Sequence, residues 1–311
     1  MSLEVLFAGG AERWAEWRAP LALALAEAGV DVRLSDATAA PGRVDVIVYA
    51  PGGGVEDFTP FRRARAVLSL WAGVERIVGA PGLSMPLCRM VDPGLTEGMV
   101  EYVAGHVLRH HLGLDTDIGG QDGVWRPRTV PLARERGVTV LGLGALGRAA
   151  AEALVRLNFR VAGWSRSARA VPGVVCHAGA EGLERALAGA EILVTLLPHT
   201  PETEGLIDAR RLAQLPRGAA IVNPGRGALI DDDALLAALE TGQVGHATLD
   251  VFRTEPLPAG HPFWAHPRVT VTPHIAAETR PASASRVIAE NIRRIAAGEP
   301  LLHRVAPDLG Y

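Results

Sequence analysis

Apolar residues in this chain gather in short continuous runs, separated by longer amphipathic stretches, and the two kinds of segment alternate along its length. "LEVLFAGG" (3–10), "VDVRLS" (30–35), "VDVIVYAPGG" (44–53) and "RAVLSLWAG" (65–73) open the series. "VTVLGLG" (138–144), "FRVAGWS" (159–165), "AEILVTLLP" (190–198), "GAAIVNPG" (218–225) and "GHATLDVF" (245–252) continue it, with one more strand inside "HPRVTVTPHIAAETRP" (266–281). Runs apolar at consecutive positions belong to strands buried on both faces, and helix-like segments between them predict parallel sheets covered on both sides. "LALALAEAGV" (21–30), interrupted by Glu27, reads as the amphipathic helix after the first strand. Helix-like stretches near 96–113 and 279–297 flank the central block and predict crossings between two lobes. The expected fold class is α/β, with two doubly wound parallel-sheet domains. Residues 100–278 form one, inserted into the other, which is made of 1–99 and 279–311.

Composition narrows the field without naming a chemistry. A chain of 311 residues, 48% hydrophobic, is long enough for two domains with real cores. Net charge is −3 with no long run of either sign, so neither nucleic acid nor an anionic membrane is an expected partner. All 31 basic side chains are arginine, a habit of base composition. Cys88 and Cys176 lack metal-type spacing and are expected as small core residues, with no metal site. No stretch reads as a signal peptide or approaches the roughly 20 apolar residues that span a bilayer, so a cytoplasmic protein is expected.

The strongest local motif is "VTVLGLGALGRAAAEALVRLNFRVAGWSRS" (138–167). Gly142, Gly144 and Gly147 form G-x-G-x-x-G directly after an apolar strand and at the start of an alanine-rich helix. The first glycine makes the turn, the second admits a pyrophosphate, and the third lets helix and strand pack closely. The helix start, with Ala145 and Leu146, offers free N–H groups to phosphates. An NAD enzyme would carry an acid at the end of the next strand to hold the ribose 2′-hydroxyl. This chain has Trp164, Ser165, Arg166 and Ser167 there, with Arg169 nearby. A guanidinium can grip a 2′-phosphate that a carboxylate would repel. NADP(H) is therefore the preferred cofactor, with NAD(H) possible.

"NPGRGALIDDDALLAAL" (223–239) sets Arg226 between two glycines that give its backbone freedom, at the carboxyl end of a strand. "LDVFRTEPLP" (249–258) puts Glu255 after another strand, and His274 follows a third, behind Pro273. Arginine, carboxylate and histidine at adjacent strand ends suit reduction of a 2-keto acid. The arginine grips the carboxylate and polarises the ketone. The histidine delivers a proton to the carbonyl oxygen, and the glutamate fixes its tautomer and keeps it protonated. His106 and His110, four apart on a helix, read as a surface or interface pair rather than metal ligands. His199 is expected to shape a cofactor loop, and Phe263 and Trp264 to pack at a pocket wall.

Three segments together resemble the signature regions of the D-isomer-specific 2-hydroxyacid dehydrogenase family: "VLGLGALGRAAAEAL", "LLPHTPETEGLIDARRLAQLPRGAAIVNPGRGALIDDDALLAAL" and "ATLDVFRTEPLPAGHPFWAHPRVTVTPHIAAETRP". The resemblance runs from Val44 to about Pro300, and "GWSRS", "PLPAGHPFW" and "PHIAAETRP" are most similar to the glyoxylate/hydroxypyruvate reductase branch, which uses NADPH. It implies a Rossmann NAD(P)-binding domain (100–278) inserted into a flavodoxin-like substrate domain, with catalytic roles for Arg226, Glu255 and His274. It implies cofactor contacts from Leu197, Pro198, Asn223 and Asp250, the last near the nicotinamide amide. It also implies that Ala72 and Gly73 offer backbone N–H groups to the substrate carboxylate, beside a Trp71 that stands where usual members carry a small residue. The family implies a homodimer joined through the cofactor-binding lobes, with the 102–130 region, including "QDGVWRP", reaching across. Two alternatives remain: a non-catalytic dinucleotide sensor, like the corepressors resembling this family, and a dehydrogenase for a bulkier D-2-hydroxy acid. Formate dehydrogenases of the family lack the glutamate, and its phosphoglycerate dehydrogenases carry an acid where "WSRS" stands here.

Overall fold

The computed structural model describes residues 2–306. Its strands are β1 (Leu3–Ala8), β2 (Val32–Ser35), β3 (Val46–Tyr49), β4 (Ala66–Ser69), β5 (Leu87–Cys88) and β6 (Gly137–Leu141). They continue as β7 (Arg160–Ser165), β8 (Val174–Ala178), β9 (Ile192–Thr195), β10 (Ala219–Asn223), β11 (Val244–Leu249) and β12 (Val269–Val271). The α-helices are α1 (Ala11–Glu27), α2 (Pro93–Leu112), α3 (Leu114–Gly119) and α4 (Ala145–Arg156), then α5 (Gly179–Ala188), α6 (Ala209–Leu212), α7 (Asp232–Glu240) and α8 (Pro281–Ala297). Two compact units result: the chain up to Leu95 together with the chain from Glu278 on, and the continuous segment Thr96–Ala277.

In the first unit five parallel strands run in the order β2-β1-β3-β4-β5, the flavodoxin-like arrangement. β3 and β4 are buried at every residue, as continuous apolar runs require. Helix α1 starts well before the expected 21–30 segment and carries Pro20 in its interior, where one intrahelical bond is missing. What makes the early turns helical is the buried stripe Trp17, Leu21, Ala24 and Leu25, at helical spacing across the proline. α8 lies against α1. Beyond it the chain returns to β5, where Arg89 N–H donates to the His303 carbonyl (3.0 Å) and Val305 N–H to the Leu87 carbonyl (2.8 Å).

The second unit is a seven-stranded parallel sheet ordered β12-β11-β10-β9-β6-β7-β8. Counted from β6 this is the Rossmann order 3-2-1-4-5-6 with one strand added at the far edge. β6, β9 and β10 are buried throughout. Val138, Val140 and Val194 pack with Val103 and Val107 of α2 on one face; Leu141, Leu193 and Ile221 pack with Leu235 and Leu239 of α7 on the other. β5 and β8 were not foreseen. β5 has only two residues, and β8 is an edge strand, nowhere fully buried, whose apolar run Val174–Cys176 is only three residues long. Among the described residues no helix is long and apolar enough to cross a membrane.

Three expectations need correction. Cys88 is a buried core residue, but Cys176 is only half-buried. Phe263 is buried while Trp264 is 51% exposed, its indole N–H donating to the Pro258 carbonyl. His110 is not a surface residue: it packs under β11, with Nε2 3.0 Å from Thr248 Oγ1 and the His246 ring 5.1 Å away. Burial, reinforced by His246 and Arg109, pushes the His110 imidazole down to about 3 from an ordinary 6.5. The unfolded chain therefore takes up this proton first as pH falls. Stability from this group is complete above about pH 6.5 and is lost toward pH 3, by up to about 1.4 kcal/mol per pH unit. Urea denaturation followed from pH 7 to pH 4 is expected to show a falling midpoint, and His110→Gln should flatten that slope. An equally steep slope in the variant would assign the acid sensitivity to other groups.

Candidate active site

Each glycine of the turn after β6 has a separate physical reason. Gly142 sits at φ +105°, and a side chain there would also run into the Leu196 carbonyl. A Cβ on Gly147 would lie 1.7 Å from the Gly142 carbonyl oxygen, so helix α4 can approach the strand only with glycine at this position. At Gly144, the residue capping α4, a Cβ would meet nothing within 4 Å. The space beside the helix start is open, with the first-turn N–H groups of Ala145 and Leu146 next to it. That opening fits a pyrophosphate.

The expected reactive residues follow three neighbouring parallel strands, β10, β11 and β12, at their carboxyl ends. Arg226 is half-buried and donates from Nη1 to the Gly225 carbonyl (2.7 Å). Its flanking glycines are there for space and not for backbone freedom, since neither has a positive φ. A Cβ on Gly225 would lie 2.6 Å from the Thr195 carbonyl oxygen, and one on Gly227 would lie 2.1 Å from the Phe252 carbonyl carbon. Glu255 accepts from Phe252 N–H with Oε1 (2.9 Å) and from the His274 Nδ1–H with Oε2 (2.7 Å). This fixes the proton of His274 on Nδ1 in the neutral ring and leaves Nε2 as the ring's outward nitrogen. The His274 side chain is 53% exposed, and its backbone stands at φ +55°, in the left-handed region that a non-glycine residue adopts only when its surroundings hold it there.

What holds it is Asp250. Fully buried, it accepts from Ile275 N–H through Oδ1 and from Ala276 N–H through Oδ2 (both 2.9 Å). The backbone N–H of His274 donates to the Asp250 carbonyl (2.9 Å). Asn223 braces the arginine turn in the same way. Its amide donates to the Arg226 carbonyl (3.0 Å), and its Oδ1 accepts from Gly225 N–H and from the Thr195 hydroxyl. Arg253, which sequence reasoning did not single out, pairs with Glu204 and donates to the carbonyls of Ala228 (3.2 Å) and Ile230 (3.3 Å). Glu204 in turn meets His199 Nε2 at 2.5 Å, and Arg253 holds the Glu204 carboxyl below the usual range. His199, Glu204, Arg226, Phe252 and Arg253 line a cavity of about 290 Å³ in this unit.

On the side expected for the adenosine, β7 ends at Ser165, whose hydroxyl donates to the Ser167 carbonyl (2.8 Å) and closes the turn. Arg166 is exposed, within electrostatic reach of Glu202. Arg148 and Arg169 line a second cavity, about 530 Å³, with Cys176 in its wall. Leu197 is buried, and the Pro198 carbonyl accepts from the Thr203 hydroxyl (2.7 Å), shaping the loop after β9. Trp71, Ala72 and Gly73 belong to the first unit, in the loop after β4. There the Ser69 hydroxyl pins the Trp71 backbone, and the Arg13 guanidinium lies 5.5 Å over the indole.

A Rossmann sheet with a glycine-rich phosphate turn, and with arginine and a glutamate–histidine pair at its carboxyl edge, is the build of a pyridine-nucleotide dehydrogenase. The chain belongs to the D-isomer specific 2-hydroxyacid dehydrogenase family, whose NAD-binding domain matches residues 104–276. It is 42% identical over 257 residues, 80% of this chain and 82% of the other, to glyoxylate/hydroxypyruvate reductase A of Serratia proteamaculans. It is similar over its full length (100% of both chains, TM-score 0.91, 42% identity) to a D-isomer specific 2-hydroxyacid dehydrogenase of Xanthobacter autotrophicus solved with NADPH and MES. It is likewise similar (100% of both chains, TM-score 0.86, 32% identity) to the NADPH-dependent glyoxylate/hydroxypyruvate reductase of Sinorhizobium meliloti, solved with NADP and sulfate.

Proposed function

We propose that this protein reduces a small 2-keto acid of the glyoxylate or hydroxypyruvate type to the 2-hydroxy acid, with NADPH as the reductant. The observation that carries the reading is the 2.7 Å contact between Glu255 and His274, at the carboxyl ends of β11 and β12 beside β10, the strand that Arg226 follows. Arg226 holds the substrate carboxylate through its planar fork and draws electron density from the ketone oxygen. Doubly protonated His274, oriented by Glu255, gives its Nε2 proton to that oxygen as the carbonyl carbon becomes a C–H centre, and is left as the neutral ring with its hydrogen on Nδ1. When bound, the reduced nicotinamide supplies the hydride. The open Gly144 turn holds the pyrophosphate, and Arg166, with Ser165 and Ser167, holds the 2′-phosphate. The absence of an acid at the end of β7 and the relatives solved with NADPH and with NADP support that choice of cofactor. A homodimer is part of the same reading. Its support is the row of exposed apolar side chains Leu112, Leu114, Ile118, Val124 and Trp125, the last 93% exposed, within the segment the family uses for pairing. A cytoplasmic location belongs to the same reading, since NADPH is regenerated there.

The direct test is oxidation of NADPH and of NADH on adding glyoxylate or hydroxypyruvate. NADPH should be consumed efficiently with the wild type. Losing one charge-assisted contact costs about 1.5–3 kcal/mol, so Arg166→Ala is expected to weaken NADPH roughly 10- to 100-fold and leave NADH nearly untouched. Equal wild-type efficiency with both cofactors would remove the cofactor assignment.

A further inference from the structure

β11 and β12 carry polar side chains at alternate positions on their buried face: His246 and Thr248, then Asp250 just past the strand end, beside Thr270 and, past its own strand end, Thr272. α2 lays a polar stripe of Tyr102, His106, Arg109 and His110 along them, at the spacing of one helical face. The row pairs Arg109 and His246 with Thr270 (2.8 and 2.9 Å) and His110 with Thr248 (3.0 Å). At its upper end the Tyr102 hydroxyl meets Thr272 Oγ1 at 2.7 Å, and Thr272 donates its only hydroxyl hydrogen to Asp250 Oδ1 at 2.6 Å. The first of these bonds therefore has one direction, with tyrosine donating to threonine and threonine to the aspartate. Burial raises the Tyr102 phenol well above its ordinary range and keeps it a donor. His106 packs against the tyrosine ring at a 52° tilt, 4.4 Å between centroids.

Resting on the reading that His274 is the proton donor, we propose that Tyr102 and Thr272 are positioning residues for it. They act through Asp250. The threonine hydroxyl, itself ordered by the tyrosine, helps fix the rotation of the carboxylate, and the carboxylate oxygens hold Ile275 and Ala276, so His274 keeps its left-handed backbone and its Nδ1 contact with Glu255. Without the threonine hydroxyl the carboxylate keeps only its two backbone donors, Ile275 and Ala276, the loop is held less tightly, and the imidazole loses its fixed place against Glu255. The tyrosine hydroxyl matters less, because it orders the threonine and does not touch the carboxylate.

The test compares Thr272→Val, Thr272→Ser and Tyr102→Phe in the full-length protein. One readout is kinetics with glyoxylate and NADPH. The other is the ring Nδ1–H proton resonance of His274 in ¹⁵N-histidine-labelled protein, assigned by its loss in His274→Asn. Thr272→Val is expected to lower kcat about tenfold, and to broaden or shift the resonance out of its downfield position. Thr272→Ser should restore both. Tyr102→Phe should fall between them, and it carries the test if Thr272→Val does not fold. Wild-type kcat and an unmoved resonance in Thr272→Val and Tyr102→Phe would overturn the proposal. So would a serine variant as impaired as the valine, because packing and not the hydroxyl would then be at work. A wild-type protein that does not oxidise NADPH with any keto acid counts against the proposed reaction, and the resonance then decides the positioning role alone.

Discussion

His274→Ala is expected to cut turnover with a 2-keto acid by about 10²–10⁴-fold, the usual worth of a positioned acid, while NADPH affinity stays near wild type. The separation of the two effects follows from where the residue stands. His274 lies at the end of β12, four strands along the sheet from β6 and its phosphate turn, so removing the ring leaves the Gly142–Gly147 loop intact. Because the ring is 53% exposed, truncation opens no core cavity, and the variant should unfold at nearly the wild-type temperature. Glu255 keeps its bond from Phe252 N–H in the variant, so its loop does not collapse. Stopped-flow turnover alongside fluorescence titration of NADPH would check both halves. Wild-type turnover in His274→Ala would remove it from the chemistry altogether.

Arg226 should show a different signature. Lysine keeps the charge but offers one ammonium in place of a planar fork, so Arg226→Lys should raise KM for the keto acid and lower kcat together, binding and polarisation being the work of one group. Arg226→Ala should lose more, roughly 10²-fold or beyond in kcat/KM, because the substrate charge is left poorly paired. NADPH binding should survive both changes. A simple aldehyde without a carboxylate is the control: the gap between wild type and either variant should shrink for it. If Arg226→Lys handled glyoxylate at the wild-type rate and affinity, the arginine would be a structural residue held by Gly225, and the mechanism would need another carboxylate clamp.

The residues legible in the sequence are those whose signal is local. Gly142, Gly144 and Gly147 announce themselves because a turn, an opening and a helix–strand approach all fall within six residues, and the structure gives each glycine its own reason. Arg226, Glu255 and His274 could be assigned to strand ends because each follows an apolar run. The purpose of the glycines around Arg226 was not legible, since what they avoid are Thr195 at the end of β9 and Phe252 in the loop after β11. The same holds for the row beneath His274, where Tyr102 and Thr272 are 170 residues apart. A hint of it was present in the chain: histidine, threonine and aspartate at alternate positions through "GHATLD" break a run that is otherwise apolar. Only the packing of α2 shows why a buried strand tolerates them. Arg253 escaped notice for a similar reason, as its acceptors lie on the loops around Glu204 and Ala228.

The return of the chain to the first unit has a consequence for how the protein is made. Most of its five-stranded sheet precedes the inserted unit in the chain, but the helix that covers α1 and the segment that pairs with β5 follow it. The inserted unit is continuous in sequence and can close as soon as it emerges. Synthesis order and folding order are therefore reversed. The first unit, begun before the inserted one, is completed after it, and until α8 arrives the face of α1 that it covers is open and is the surface a chaperone would meet.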